Sequence, residues 1–362
     1  MLENNLFNYA TSELSQDAFL CWLISFAYEE AQTDDLLLKK CAEDLICMFA
    51  PGLEDSTFEL TNIQRQYKHI DILLTIMAGG KEYKVIIEDK VFTNEHDDQL
   101  ERYHNTIEGE CKERDIYRAY YITGFQSDTS NIEKAGYTIV DRRQMLDLME
   151  RYKGRIKNQI FLDYYAFWDA FEKDAKSFET NPAKDWDWKQ VYGCFEQLAG
   201  IIRKEGGWAG FDYVANPAGG FYGFWFGRQN CQIMEGDAPY KLYLQLEFVI
   251  GDPKATKLCL KMSAESDAAK IKQTRTGARD HLVYDKDWAY RLKSFNFDKP
   301  SRLGNGSTMT IGIYNKEDKE IFTDYNELKS VLAQAFGDYT KLLVEEYLHI
   351  QPSNGVSDTA PI

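Results

Sequence analysis

The sequence lacks the features that mark membrane and secreted proteins. No apolar run approaches 18 residues, so no membrane-spanning helix is expected. Residues 1–5 lack the basic and apolar regions of a signal peptide. The seven cysteines are odd in number and form no CxxC pair, which disfavours a disulfide framework and a structural zinc site. Together these absences predict a cytoplasmic protein with no membrane partner.

Positive charge is also scarce. The chain has 42 Lys and Arg against 58 Asp and Glu, and its net charge of -16 would not attract nucleic acid through the overall field. The excess is uneven, because residues 1–180 hold 20 basic and 34 acidic residues, whereas residues 181–362 hold 22 and 24. Such a concentration of carboxylates indicates either a solvated surface or a surface that includes a site for a hard cation.

The hydrophobic content of 44% over 362 residues predicts a packed protein of about two domains. Apolar periodicity in the first half gives the order α-α-β-β-β-α-β-β-α-α, which favours an α/β (α+β) fold with a mixed central sheet flanked by helices. The second half favours an antiparallel α+β domain, with further candidate strands at 289–295 and 309–314. The expected boundaries are a first domain at 1–176, a linker at 177–186, a C-terminal α+β domain at 187–350 and a flexible tail at 351–362.

Three ionisable residues are predicted to meet at one end of a strand hairpin. Asp71 lies inside an apolar strand, where an acid is costly unless it is paired, hydrogen-bonded or metal-bound. On the next strand, joined through the turn 79–81, Glu88 and Lys90 point to one side and Asp89 to the other. Two neighbouring carboxylates repel each other, and a divalent cation removes that penalty.

A second pair follows on the next predicted helix. Gln99 and Tyr103 are four residues apart and therefore share a helix face, which we expect to point back toward the strand end. A glutamine there can orient a metal-bound water or contact a phosphate, and a tyrosine can contact the nucleic-acid backbone or stack on a base. The alternative is an ordinary exposed helix surface.

Each of these residues has a simpler alternative explanation. Asp71 could pair with Lys68 or Arg65 at a strand edge, and Glu88 with Lys90 could form an exposed strand face. The acidic side chains around this motif that we expect to be solvated are Asp89, Asp97, Asp98 and Glu101.

The joint pattern resembles a known family. Asp71, followed after 17 residues by Glu88-Asp89-Lys90, resembles the D…(D/E)xK core of the PD-(D/E)xK nuclease superfamily. Gln99 and Tyr103 resemble the QxxxY motif of its RecB-like branch, and residues 11–23 resemble the opening helix of uncharacterised bacterial members. The resemblance covers about residues 5–170. Ile70 stands where the superfamily motif usually has a proline, which does no chemistry.

The resemblance implies a nuclease that hydrolyses DNA with Mg²⁺ (or Mn²⁺), in DNA processing or in defence against foreign DNA. The implied catalytic residues are Asp71, Glu88, Lys90 and Gln99, and the implied metal ligands are Asp71, Glu88, Glu13 and the carbonyl of Asp89. Asp17, one helical turn beyond Glu13, is the next candidate for the helix acid. The alternatives are cleavage of RNA and a catalytically inactive binding or assembly module; endonuclease or exonuclease action and a homodimer stay open.

The second half has a basic run at 270–275 and an aromatic cluster at 208–226. Basic groups with aromatics are typical of nucleic-acid surfaces, although the aromatics could instead pack a β core. The residues expected to contact the substrate are Tyr103, Lys270, Lys272 and Arg275. The role of residues 187–350 stays open, with substrate binding as one candidate.

Overall fold

The structure is a computed structural model of the chain. It describes residues 4–29, 35–54, 56–92, 99–109, 112–217, 219–229, 232–235, 238–264, 270–315 and 321–344. The chain divides into two compact units, Met1–Lys173 and Asp174–Ile362. The predicted tail at 351–362 lies outside the described residues.

The first unit alternates helices with a sheet. Its elements are α1 Glu13–Ile24, α2 Leu36–Phe49, β1 Phe58–Tyr67, β2 Ile70–Ala78, β3 Lys81–Lys90, α3 Gln99–Glu108, β4 Ile116–Ile122, α4 Ser130–Lys134, β5 Thr138–Asp141, α5 Arg142–Lys153 and α6 Gln159–Lys176, the last three residues of which are counted in the second unit. Local capping sets two of the helix starts. The Ser12 hydroxyl accepts from the Ser15 amide at the start of α1, and Asp141 with Gln144 forms a capping box at the start of α5.

The strands of the first unit form one mixed sheet in the order β1-β2-β3-β4-β5. The β1–β2 and β2–β3 pairs are antiparallel, whereas β3–β4 and β4–β5 are parallel. Gly79 and Gly80 join β2 to β3 with positive φ angles of 57° and 74°, the conformation that two-residue hairpin turns favour. This mixed sheet, flanked by helices, confirms the predicted fold class.

Helices cover both faces of this sheet. On one face, α3 packs onto the strands through a buried cluster that includes Leu73, Ile86, Leu100, Tyr103 and Tyr120. On the opposite face, the rings of Phe19 in α1 and Tyr164 in α6 stack at 3.5 Å between centroids. Because both faces are covered, polar side chains near the end of β3 are withdrawn from solvent.

The second unit is built on an antiparallel sheet. Its elements are α7 Trp188–Lys204, β6 Gly207–Val214, β7 Phe221–Arg228, β8 Gln232–Glu235, β9 Ala238–Phe248, β10 Lys257–Ala264, α8 Lys270–Tyr284, α9 Lys286–Ser294, β11 Phe297–Asp298, β12 Thr308–Tyr314 and α10 Tyr325–Val344. The strand order is β11-β12-β10-β9-β7-β6, and β8 pairs with β9. No helix in the described parts of the chain is long and apolar enough to cross a membrane.

Two segments differ from expectation. Residues 289–295, expected as a strand, lie almost wholly in α9, because the Asp285 carboxylate accepts from the amides of Asp287 and Trp288 and caps a helix there. Residues 177–186, expected as a linker, lie inside the second unit. There Trp186 is buried, and its ring stacks 5.7 Å from that of Phe248.

Candidate active site

Two carboxylates lie side by side where β2 begins and β3 ends. The register pairs Ile72 with Ile87, and continuing it by one pair brings Asp71 opposite Glu88. Asp71 Oδ2 accepts a hydrogen bond from the Asp89 main-chain nitrogen at 3.0 Å. Asp71 is half-buried, whereas Glu88 is fully buried. The hairpin therefore brings the two predicted acids together.

Lys90 completes this group. Its Nζ lies 2.5 Å from Glu88 Oε1, and both side chains are buried. Burial alone would lower the pKa of the Lys90 ammonium, but the charge of Glu88 and its hydrogen bond outweigh burial and raise that pKa. In this arrangement Lys90 keeps its proton at neutral pH.

The proximity of the acids perturbs Glu88. Burial, followed by the charge of Asp71, raises the pKa of Glu88 to about 8, even though Lys90 opposes the shift. A carboxyl group in this environment holds a proton at neutral pH unless further positive charge lies beside it. Such perturbed acids cluster at functional sites.

Helix α1 adds acids to the same end of the sheet. The charge of Glu13, half-buried in the first turn, is a minor contribution to the raised pKa of Asp89, where burial dominates, and to that of Lys90, where Glu88 is the main raising cause. Asp17, one turn later, is only 1% exposed, and burial followed by the charge of Asp71 raises its pKa to about 6. Gln66 links Asp17 to Asp71, because its Nε2 lies 3.3 Å from Asp17 Oδ2 and 3.1 Å from Asp71 Oδ1.

The side chain of Asp89 corrects one prediction. It was expected in solvent, but it is fully buried on the face opposite Glu88, where it accepts a hydrogen bond from Gln16 Nε2. Burial raises the pKa of Asp89 well above its ordinary value. The reason is that α1 and α6 cover this face of β3. The role of its carbonyl as a metal ligand stays a prediction.

The QxxxY pair gives a mixed result. Gln99 begins α3, and its side chain lies outside the described part of the structure. Tyr103 is 6% exposed and packs with Leu73 and Ile86 in the core beneath α3. Its ring is therefore part of the core, and little of it is available to a substrate.

The predicted substrate-binding residues of the second half begin α8. Lys270, Lys272 and Arg275 lie in this helix, and their side chains are outside the described residues. Their contact with nucleic acid stays a prediction.

Several polar residues of the site carried no sequence motif. Gln16 is buried on α1 beside Asp89, and Gln66 bridges two acids from a backbone with a φ of 51°. Thr123 follows β4, and its main-chain nitrogen donates to the Lys90 carbonyl at 3.0 Å. Gln16 left one trace in the sequence, since it is a polar residue within the apolar helical pattern that includes Phe19 and Leu23.

A sequence profile of the PD-(D/E)XK nuclease superfamily matches residues 4–209. The chain belongs to this superfamily. Comparison with curated proteins and with solved structures found no match. PD-(D/E)XK proteins are generally nucleases, enzymes that hydrolyse phosphodiester bonds, and they typically use divalent metal ions.

The acids of this PD-(D/E)XK protein suit such an ion. Within the described residues, no three His, Cys, Asp or Glu side chains are grouped as a ready-made metal site. Mg²⁺, however, is usually bound through one or two carboxylates together with water and substrate phosphates. Asp71 and Glu88 supply two hard oxygen donors side by side, so the donor set fits.

Proposed function

We propose that this protein is a Mg²⁺-dependent nuclease that hydrolyses DNA. The observation that carries the proposal is the buried contact between Glu88 and Lys90 beside Asp71 at one end of the sheet. Membership of the superfamily supports nuclease chemistry in general. We further propose a cytoplasmic location and a context of DNA processing or defence against foreign DNA.

Each residue has a proposed role. Asp71 and Glu88 bind the metal ion, with Glu13 or Asp17 of α1 and the Asp89 carbonyl as further ligands. When held by these residues, Mg²⁺ would lower the pKa of a coordinated water and would neutralise charge on the phosphate. The raised pKa of Lys90 favours an ammonium that donates a hydrogen bond to the charge developing on the phosphate.

The test compares wild type with Glu88→Gln and Lys90→Met on linear and circular DNA in Mg²⁺ or Mn²⁺. We expect either substitution to lower kcat by roughly 10²-fold or more, because each removes a group that acts on transition-state charge. The matched control is Lys84→Met on the same strand. The Nζ of Lys84 donates a hydrogen bond to Thr75 Oγ1 at 2.9 Å, and this contact lies outside the candidate site. Equal activity in wild type and in both site variants would contradict this mechanism.

The substrates also separate the alternatives. Cleavage of circular DNA identifies an endonuclease, and cleavage of linear DNA alone identifies an end-dependent enzyme. Cleavage of RNA but not DNA would assign the same site to a ribonuclease. No cleavage of any nucleic acid would favour a binding or assembly module.

A further inference from the structure

Gln16 is the hub of a buried hydrogen-bond network behind the candidate site. Its Nε2 donates to Asp89 Oδ1, and its Oε1 accepts from Thr123 Oγ1 at 2.8 Å and from the Tyr164 hydroxyl at 3.3 Å. Tyr164 continues the network to the Tyr121 hydroxyl at 3.0 Å. Because the donor and acceptor ends of one amide are used at the same time, the orientation of Gln16 is fixed.

This network holds the end of β3 from behind. Gln16 binds the Asp89 side chain, while the Asp89 main-chain nitrogen donates to Asp71 Oδ2 at 3.0 Å. Thr123, the second partner of Gln16, donates from its main-chain nitrogen to the Lys90 carbonyl at 3.0 Å. Two neighbouring residues of the motif are thus held in place through the same glutamine.

Because of the geometry of a β-strand, fixing the position of Asp89 also fixes the positions of the neighbouring site residues. Side chains alternate along a strand, so holding Asp89 toward α1 directs Glu88 and Lys90 to the opposite face. The same Asp89 peptide group also binds the Asp71 carboxylate. A shift of Asp89 would therefore move all three ionisable side chains relative to one another.

We propose that Gln16 is a positioning residue, which sets the geometry of Asp71, Glu88 and Lys90 through Asp89 and Thr123. The inference rests on the proposed metal-dependent nuclease function and assigns a role in it to a residue outside the motif. Only an amide of this length offers a donor to Asp89 and an acceptor to the two hydroxyls. Methionine has the same length and neither hydrogen-bonding group.

The experiment uses the full chain with Gln16→Met and a matched control, Gln190→Met in α7. Gln190 is also a buried helix glutamine that uses both ends of its amide, since its Nε2 donates to Asp174 Oδ1 and Ser177 Oγ and its Oε1 accepts from the Asp187 amide. The measurements are kcat and KM on DNA, Mn²⁺ affinity by titration calorimetry, and the melting temperature.

For Gln16→Met we expect kcat to fall by roughly 10- to 100-fold while KM for DNA changes by about twofold or less. Mn²⁺ affinity should fall by roughly tenfold, as it does when the groups that orient metal ligands are removed. Gln190→Met should lower the melting temperature and leave kcat and Mn²⁺ affinity unchanged. If Gln16→Met does not fold, Thr123→Val provides the test, because it removes only the hydroxyl; we expect the same changes at smaller size.

Wild-type kcat and Mn²⁺ affinity in Gln16→Met, with only a lower melting temperature, would overturn the inference. Equal losses in Gln190→Met would overturn it as well, because they would show a general effect of loosened packing. If wild type binds Mn²⁺ but cleaves no nucleic acid, the proposed function fails, and the Mn²⁺ affinities of the variants still decide on Gln16. If wild type binds no Mn²⁺, both the proposed metal-dependent function and the proposed role of Gln16 are wrong.

Discussion

Protonation of Glu88 is linked to folding, because this carboxyl group is buried beside Asp71. Its pKa of about 8 in the folded chain lies above the ordinary value of 4.5, so the folded chain retains a proton that the unfolded chain has released. The stability that this proton contributes is fully present below pH 4.5 and is lost as the pH rises to about 8. Asp17 acts in the same direction, but its window lies between pH 3.8 and about 6.

We therefore predict that metal-free wild type loses stability between pH 6 and 8, and that Glu88→Gln, in which residue 88 cannot ionise, loses less than wild type. The difference should be on the order of 2 kcal/mol. Thermal unfolding in a chelator at several pH values measures it. Mg²⁺ should reduce the loss in wild type, since the ion binds the ionised form. If the stability of wild type and of Glu88→Gln changed with pH by the same amount, the raised pKa of Glu88 would be contradicted.

At the scale of single residues, the sequence identified the acids and the lysine of the candidate site. It did not identify the residues that hold them in place. Asp71, Glu88 and Lys90 could be predicted because the period of a strand fixes which side chains share a face. Gln16 and Thr123 could not be placed, because their partners are distant along the chain. Asp89 looked solvated because nothing local shows that α1 and α6 cover its face.

At the scale of the secondary-structure elements, the end of β3 lies in close contact with the segment that follows β4. A Cβ atom added at Gly124 would collide with the main-chain carbonyl of Val91, the residue that follows Lys90. Arg142 holds the same segment, since its guanidinium donates to the carbonyls of Thr123 and Gly124 and pairs with Glu172 at 2.7 Å. The end of β3 is thus confined by backbone as well as by side chains.

We predict that Gly124→Ala lowers the free energy of unfolding by about 1–3 kcal/mol, because Val91 or the segment after β4 must move. The proposed nuclease activity should fall with it, since Val91 adjoins Lys90. The control is Gly200→Ala in α7, where an added Cβ meets no atom within 4 Å. That substitution should raise stability by roughly 0.5–1 kcal/mol. Denaturant unfolding measures the free energy of unfolding of both variants. A Gly124→Ala protein with the same free energy of unfolding as wild type would contradict the prediction.

Elements with a strong period were predicted from sequence alone. Helix α7 runs from Trp188 to Lys204, with Asp187 as its capping residue and Gly206 shortly beyond its end, and such residues mark the two ends of a helix in a sequence. Helix α9 was not predicted, because its nine residues are too few to separate a helical period from an alternating one. Its cap at Asp285 is the signal that could have identified it.

For the molecule as a whole, the charge is the unusual property. The net charge of -16 belongs mostly to the half that contains the candidate site, and residues 181–362 are close to neutral. A chain of this charge can hold DNA only through a small number of local ion pairs and through bound metal.

We predict that KM for DNA rises by roughly tenfold between 50 and 200 mM NaCl at constant Mg²⁺, as about two phosphate contacts would give, with kcat nearly unchanged. Steady-state cleavage at several salt concentrations measures this. A KM that is independent of salt would indicate that non-ionic contacts bind the substrate.

The short turn at Gly79 and Gly80 also constrains how this gene can change in length. Across a two-residue turn, opposed residues are always an odd number of positions apart, and Asp71 and Glu88 are 17 apart. A one-codon insertion or deletion in either strand between them would turn one acid to the other face of the sheet. The hairpin can therefore be lengthened or shortened without loss of the site only in steps of two residues, one in each strand.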